Sequence, residues 1–184
     1  MRYGFARLLR LPYSCGFGAQ SPSAFQFINY VISEKLPYYA YSDLNSEGSK
    51  CSQKMLRLYF RLANFLQAKR WLYFGNDSEI VRQYVVSGCR KTQFCSLSSL
   101  KQVEDKSVML ISEANFTAQE LIAALPTVPN QCVVVIEDIY RNKSNRMLWK
   151  SILASEHVSF SFDLYLCGIL FFDNRPKENF VVNF

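Results

Sequence analysis

From Lys69 onward, short apolar runs alternate with helical stretches, and that alternation limits the fold more than any other feature of the chain. Trp71-Leu72-Tyr73-Phe74 reads as a short buried strand ending at Gly75. Asn76-Asp77-Ser78 reads as a turn, with Asp77 or Ser78 placed to cap a helix through Val86. Thr92–Cys95 is a weak strand and Val108–Ile111 a better one. Thr117 caps a helix through Leu125, which Pro126 and Pro129 close. Cys132–Ile136 is the clearest buried strand, an unbroken run rich in β-branched residues. A helix from Asn142 or Ser144 to Ala154 follows, then strands over Val158–Leu164, Gly168–Phe172 and Phe180–Phe184. Alternation implies crossover connections and a parallel sheet covered on both faces. With only Asp173–Asn179 between them, the last two strands are expected to pair antiparallel. The predicted class is α/β: a Rossmann-like, doubly wound, mostly parallel sheet with antiparallel C-terminal strands.

Ahead of this core lies a helical segment. Residues 1–20 show no clear periodicity and read as an arm. Ser21-Pro22 has the form of a helix start, and Phe25, Ile28, Ile32 and Leu36 repeat at helical spacing until Pro37. A second helix is predicted from Lys50 to Ala68. Its Lys50, Lys54, Arg57 and Arg61 share one face and Leu58, Leu62, Phe65 and Leu66 another, which predicts a surface helix with a solvated basic side. The expected division is 1–68 for arm and helical cap and 69–184 for the α/β core, within one compact domain.

Composition narrows the functional classes. At 184 residues, 49% hydrophobic and 20% charged, the chain is long and apolar enough for one real core. The longest apolar run, Leu164–Phe172, is about half of what a membrane-spanning helix needs. Arg10 and Pro12 interrupt any signal-like stretch, so a cytoplasmic protein with no membrane partner is expected. The six cysteines form no C-x-x-C pair and the chain holds one histidine, so buried free thiols are expected rather than a zinc site or disulfides. The net charge of +6 raises a nucleic-acid partner, but no nucleic-acid motif accompanies it, which argues against one. The aromatic C-terminal strands leave a homo-oligomer as an open expectation.

In an open parallel sheet, ligands bind beyond the carboxyl ends of the strands. Gly75, Asn76 and Asp77 follow the first strand, where backbone N–H groups of a strand–turn–helix can meet a ligand. Glu113 and Asn115 follow the Val108–Ile111 strand, and Glu137 and Asp138 follow Cys132–Ile136. If those strands are neighbours, the acids share one cleft, where a carboxylate can take a proton, anchor an amine or bind a cation. Gly16-Phe17-Gly18 follows no strand and opens no helix, so it is no dinucleotide fingerprint.

Several segments together resemble a known family. They are Ser21-Pro22, Pro37-Tyr38-Tyr39-Ala40-Tyr41, and Arg57 through Asn64 ahead of the first strand; Val135 through Tyr140 with Trp149 downstream; and Phe162-Asp163-Leu164-Tyr165 leading to Gly168 through Phe172. The chain from Phe17 to Phe184 is similar to class I S-adenosylmethionine-dependent methyltransferases, in a bacterial O-methyltransferase-like branch. The resemblance implies a Rossmann-like fold with a helical segment over the site, and S-adenosylmethionine at the Gly75 turn. It implies an acid two residues before that glycine and another glycine about four residues after it; this chain has Tyr73 and Glu79 there. It also implies a further strand and helix before the segment ending at Glu113, whereas only Arg90–Lys106 is present, enough for one unit rather than two. Glu113, Asn115 and Asp138 match positions lining the family's site, with Asp138 or Glu113 as base; related O-methyltransferases hold a divalent cation with such acids, but no metal ligands are assigned here. These departures describe a shortened member with an eroded cofactor site, expected to be inactive or weak and to serve a structural or interaction role. An active methyltransferase on a small acceptor is the alternative, and a basic nucleic-acid-associated domain a third.

Overall fold

The computed structural model describes residues 8–12, 21–44, 52–76, 78–96, 103, 106–112 and 118–184. Seven strands form one sheet in the order β2-β1-β3-β4-β6-β5-β7. They are β1 (Arg70–Phe74), β2 (Gln93–Ser96), β3 (Ser107–Ile111), β4 (Val133–Glu137), β5 (Phe160–Asp163), β6 (Cys167–Phe171) and β7 (Glu178–Val181). β1 lies parallel between β2 and β3, and β4 extends the parallel set. β6 is inserted antiparallel between β4 and β5. Only residues 97–106 separate β2 from β3, less chain than a further strand with a crossover helix requires.

β7 corrects one sequence expectation. It pairs with β5, in parallel, and not with β6. β6 already has β4 on one side and β5 on the other, so both of its hydrogen-bonding edges are taken. The chain does reverse after β6, but it must step across to the free edge of β5, and reversal against β6 makes it parallel there.

The helices are α1 (Pro22–Phe27), α2 (Ala40–Asp43), α3 (Gln53–Leu66), α4 (Ser78–Gly88), α5 (Ala118–Ala124) and α6 (Lys143–Ala154). Alternation along the buried strands sends their side chains to opposite faces. Trp71, Tyr73, Val108, Leu110, Val133 and Val135 pack with α3 and α4. Leu72, Phe74, Met109, Ile111, Val134 and Ile136 pack with Leu121 of α5 and with Trp149 and Ile152 of α6.

The N-terminal helix differs from its predicted form. Ser21 caps it, accepting from the Ala24 N–H, and Pro22 opens it. After Phe27 it widens into a π-helical turn over Ile28–Ile32. Ala24, Phe27, Ile28, Val31 and Ile32 face inward, and Phe25 and Leu36 are exposed. The turn explains the second correction. Arg61, expected on a solvated face, is only 7% exposed. Its Nε donates to the Val31 carbonyl at 2.6 Å and its Nη2 to Ile32 at 3.4 Å, so the guanidinium satisfies carbonyls at the end of the turn. Arg57, on the same side of α3, lies against the Tyr41 ring at 4.9 Å.

Cys89, Cys132 and Cys167 are buried thiols and Cys95 is a half-buried one. Among the described residues no helix is long and apolar enough to cross a membrane.

Candidate functional site at the strand tips

The carboxyl ends of β1, β3, β4 and β5 lie along one edge, and Gly75, Asn76, Glu137 and Asp138 fall there. β3 and β4 are neighbours, as the cleft argument required. Asp77, Glu113 and Asn115 lie outside the described residues. Gly75, Asn76 and Asp138 are described, and they do not behave alike.

Gly75 follows β1, and the face of it that a side chain would occupy is already filled. A Cβ there would lie 2.4 Å from the Tyr73 phenol oxygen and 2.9 Å from the Ser112 Cβ. Its φ is outside the left-handed range, so what requires glycine is the close approach of Tyr73. Tyr73 is itself buried, its ring tilted against Phe94 of β2 at 5.9 Å between centroids. The Tyr73 phenol therefore stands at the tip of β1.

Glu137 and Asp138, adjacent in sequence, do different work. Glu137 is the last residue of β4 and its carboxylate is held from two sides: the Tyr59 hydroxyl donates to Oε1 and the Ser112 hydroxyl to Oε2. Tyr59 reaches it from α3 and is fully buried. Asp138 then adopts a left-handed conformation, φ 56°. Its N–H donates to the Leu166 carbonyl at 2.7 Å, and its carbonyl accepts from the Arg141 N–H and the Asn145 side chain, both at 2.9 Å. With the backbone so tied, the Asp138 side chain is 52% exposed and its Oδ2 lies 3.6 Å from the Arg141 guanidinium. A cavity of about 410 Å³ opens beside it, lined by Asn76, Ser112, Glu137, Asp138, Arg141 and Trp149 among others. Asn76 and Asp138 thus meet at one cavity, while the Gly75 face is packed from within.

A second polar cluster at this edge was missed from the sequence. Asp163 ends β5 and is 6% exposed. Arg10, in the short helical stretch of the arm, donates to its Oδ1 at 2.8 Å and to its carbonyl at 3.0 Å. The Tyr140 hydroxyl donates to Oδ2 at 2.6 Å and the Tyr165 N–H to Oδ1 at 2.9 Å. The Tyr140 and Tyr165 rings stack at 5.1 Å, and the Arg10 guanidinium is 5.4 Å from each. Burial, then the hydrogen bond and charge of Asp163, push the Tyr140 phenol up to about 12, against the opposing pull of Arg10. The arm is thereby fastened to the β5–β6 hairpin and to the loop that carries Asp138. One signal was available: Asp163 is a lone acid inside an apolar run, and a buried acid needs a partner.

No protein-family model matches the chain, and no curated protein matches it. Solved structures do. The SAH-bound methyltransferase PaMTH1 of Podospora anserina is similar over 83% of this chain and 94% of its own, at 8% identity and a TM-score of 0.55. An O-methyltransferase of Bacillus cereus in complex with SAH is similar over 72% of this chain and 86% of its own, at 12% identity and a TM-score of 0.47. The Podospora match, the stronger of the two, is a likeness of fold over most of both chains. The chain therefore has the Rossmann-like α/β fold of class I S-adenosylmethionine-dependent methyltransferases.

Proposed function

We propose that this protein is methyltransferase-like in fold with an eroded S-adenosylmethionine site, inactive or weak as an enzyme, and that it serves as a structural or interaction module. The observation that carries this reading is the Tyr73 phenol over Gly75. The resemblance puts S-adenosylmethionine at this turn, with an acid in place of Tyr73 to anchor its amino-acid end. Here that position holds a buried phenol, which removes the anchor and fills the approach to the backbone. Two sequence departures support the same reading: Glu79 in place of the later glycine, and the span between α4 and β3, which holds one strand where the resemblance implies two and puts no acid directly after the Thr92–Cys95 strand, where the resemblance implies the acid that would hold the ribose. The residues at the tip of β1 do not fit this cofactor, so no reaction step is derived through it.

The alternative, an active S-adenosylmethionine-dependent methyltransferase, draws on the cavity where Asn76, Glu137 and Asp138 come together. Under that reading Asp138 would act as the base, since it is exposed while both Glu137 oxygens accept hydrogen bonds. Calorimetric titration with S-adenosylmethionine and S-adenosylhomocysteine separates the two. Absence of heat at millimolar ligand is expected; clean micromolar binding supports the alternative. Tyr73→Glu with Glu79→Gly is expected not to restore binding, because the missing strand remains missing.

A further inference from the structure

At the edge of the sheet away from the strand tips, two hollows of about 340 Å³ each meet, and Leu66, Gln131 and Val133 line both. The first is aromatic. Phe27, Phe162 and Phe171 wall it, with ring centroids 4.8 to 5.9 Å apart, and Phe65 from the last turn of α3 meets Phe27 edge-on at 5.6 Å. Phe65 is 45% exposed, and Leu66 and Phe171 are half-buried. A single exposed ring is ordinary on a folded protein, but one at the mouth of an apolar hollow leaves contiguous surface to cover. At the rim Asp173 and Arg175 pair with each other and add no net charge.

The second hollow lies at the amino end of β3, where Lys106 joins the lining. The Lys69 N–H donates to the Lys106 carbonyl at 3.1 Å, which sets the two lysines side by side, both exposed. Among the described residues neither pairs with a carboxylate. The groove is thus apolar at one end and cationic at the other. Gln131 stands between, exposed, with a carboxamide that both donates and accepts, as a peptide backbone requires. Register sets the length. Phe171 pairs with Val133 and Val133 with Val108, so the groove crosses three adjacent strands, about 10 Å. Extended chain covers that distance in about three or four residues. Resting on the reading of this chain as an interaction module, we propose that the groove docks an extended acidic segment of a partner protein. An aromatic or large aliphatic side chain of that segment sits against Phe65 and Phe171, and a carboxylate three or four residues away meets Lys106 and Lys69.

Selection of a random peptide library on the full protein tests this. The enriched peptides are expected to share that spacing of apolar anchor and acid. Phe65→Asp should weaken the consensus peptide at least about tenfold, as loss of an anchoring ring does. Lys69→Glu with Lys106→Glu should weaken it about tenfold and remove its salt dependence. Lys150→Glu, exposed on α6 across the sheet, should leave it within about twofold. If Phe65→Asp does not fold, exchanging the peptide's ring for alanine and its acid for an amide decides on the unaltered protein. A selection without the pattern, binding that survives both groove variants, or an equal loss in Lys150→Glu overturns the proposal. So does sedimentation of the protein alone as a dimer that Phe65→Asp dissociates, since a second copy would then cover the groove. Failure here leaves the eroded cofactor site standing, because calorimetry with S-adenosylmethionine tests that separately.

Discussion

The phenol oxygen of Tyr73 and the α-carbon of Gly75 stand so close that no side chain fits between them. Each residue therefore constrains the other. Gly75→Ala forces a methyl group into the phenol and is expected to cost about 1–3 kcal/mol, read from urea unfolding. In a Tyr73→Val background the same change should cost less, with a coupling of about 1 kcal/mol or more across the cycle. An equal penalty in both backgrounds would show that something other than Tyr73 requires the glycine.

Arg10 is the only described cation facing the buried Asp163 carboxylate. Arg10→Ala leaves that carboxylate with hydroxyl and amide donors but no opposite charge. Removing one partner of a buried pair costs about 3–5 kcal/mol, and a loss near the lower end is expected because the arm side of the pair is partly wet. Arg10→Lys should recover only part of it, since an ammonium cannot serve the carboxylate, the carbonyl and two ring faces together. Thermal unfolding checks both variants; a melting temperature unchanged in Arg10→Ala contradicts the fastening described here.

The raised phenol of Tyr140 gives the fold an alkaline limit. Its value moves from 10.0 in a free side chain to about 12 in the fold, so folding favours the protonated form. A group shifted upward contributes stability that is complete below its unfolded value and is lost as pH rises through its folded value. Stability should therefore fall across pH 10 to 12, and Tyr140→Phe should flatten that part of the profile. Equilibrium unfolding at stepped alkaline pH measures it; a variant with the same alkaline slope as the unaltered protein would refute the assignment.

Arg61→Met removes the donors to the Val31 and Ile32 carbonyls while keeping most of the side-chain volume. Those carbonyls end a π-helical turn and are expected to lose about 1–3 kcal/mol of satisfaction. Hydrogen exchange should rise first in residues 28–33. Uniform exchange with unchanged stability would mean that the turn does not need the guanidinium.

The parts of the fold that a local pattern can specify were legible. The runs Trp71–Phe74, Val108–Ile111 and Cys132–Ile136 are short, apolar and bounded by polar turns, and each holds a central strand. Ser21-Pro22 and Asn142 start helices as their cap chemistry dictates. What depends on a distant partner was not legible. Arg61 follows the same spacing as solvated lysines, and only the carbonyls of a widened helix, which no periodicity announces, draw it inward. The place of β7 follows from β6 having both edges filled, a fact of the sheet rather than of residues 173–184. At the site, the sequence put Glu137 and Asp138 together, but the left-handed backbone at Asp138 turns one carboxylate into the fold and the other out. The departure at Tyr73 could be read as a lost acid; that the replacing ring would bend over the glycine could not.

A crystal grown with excess S-adenosylhomocysteine is the most direct test of the central claim. The account predicts the Tyr73 ring over Gly75 and no nucleoside density at the tip of β1. Density for the nucleoside lodged against Gly75, with Tyr73 swung aside, would contradict it.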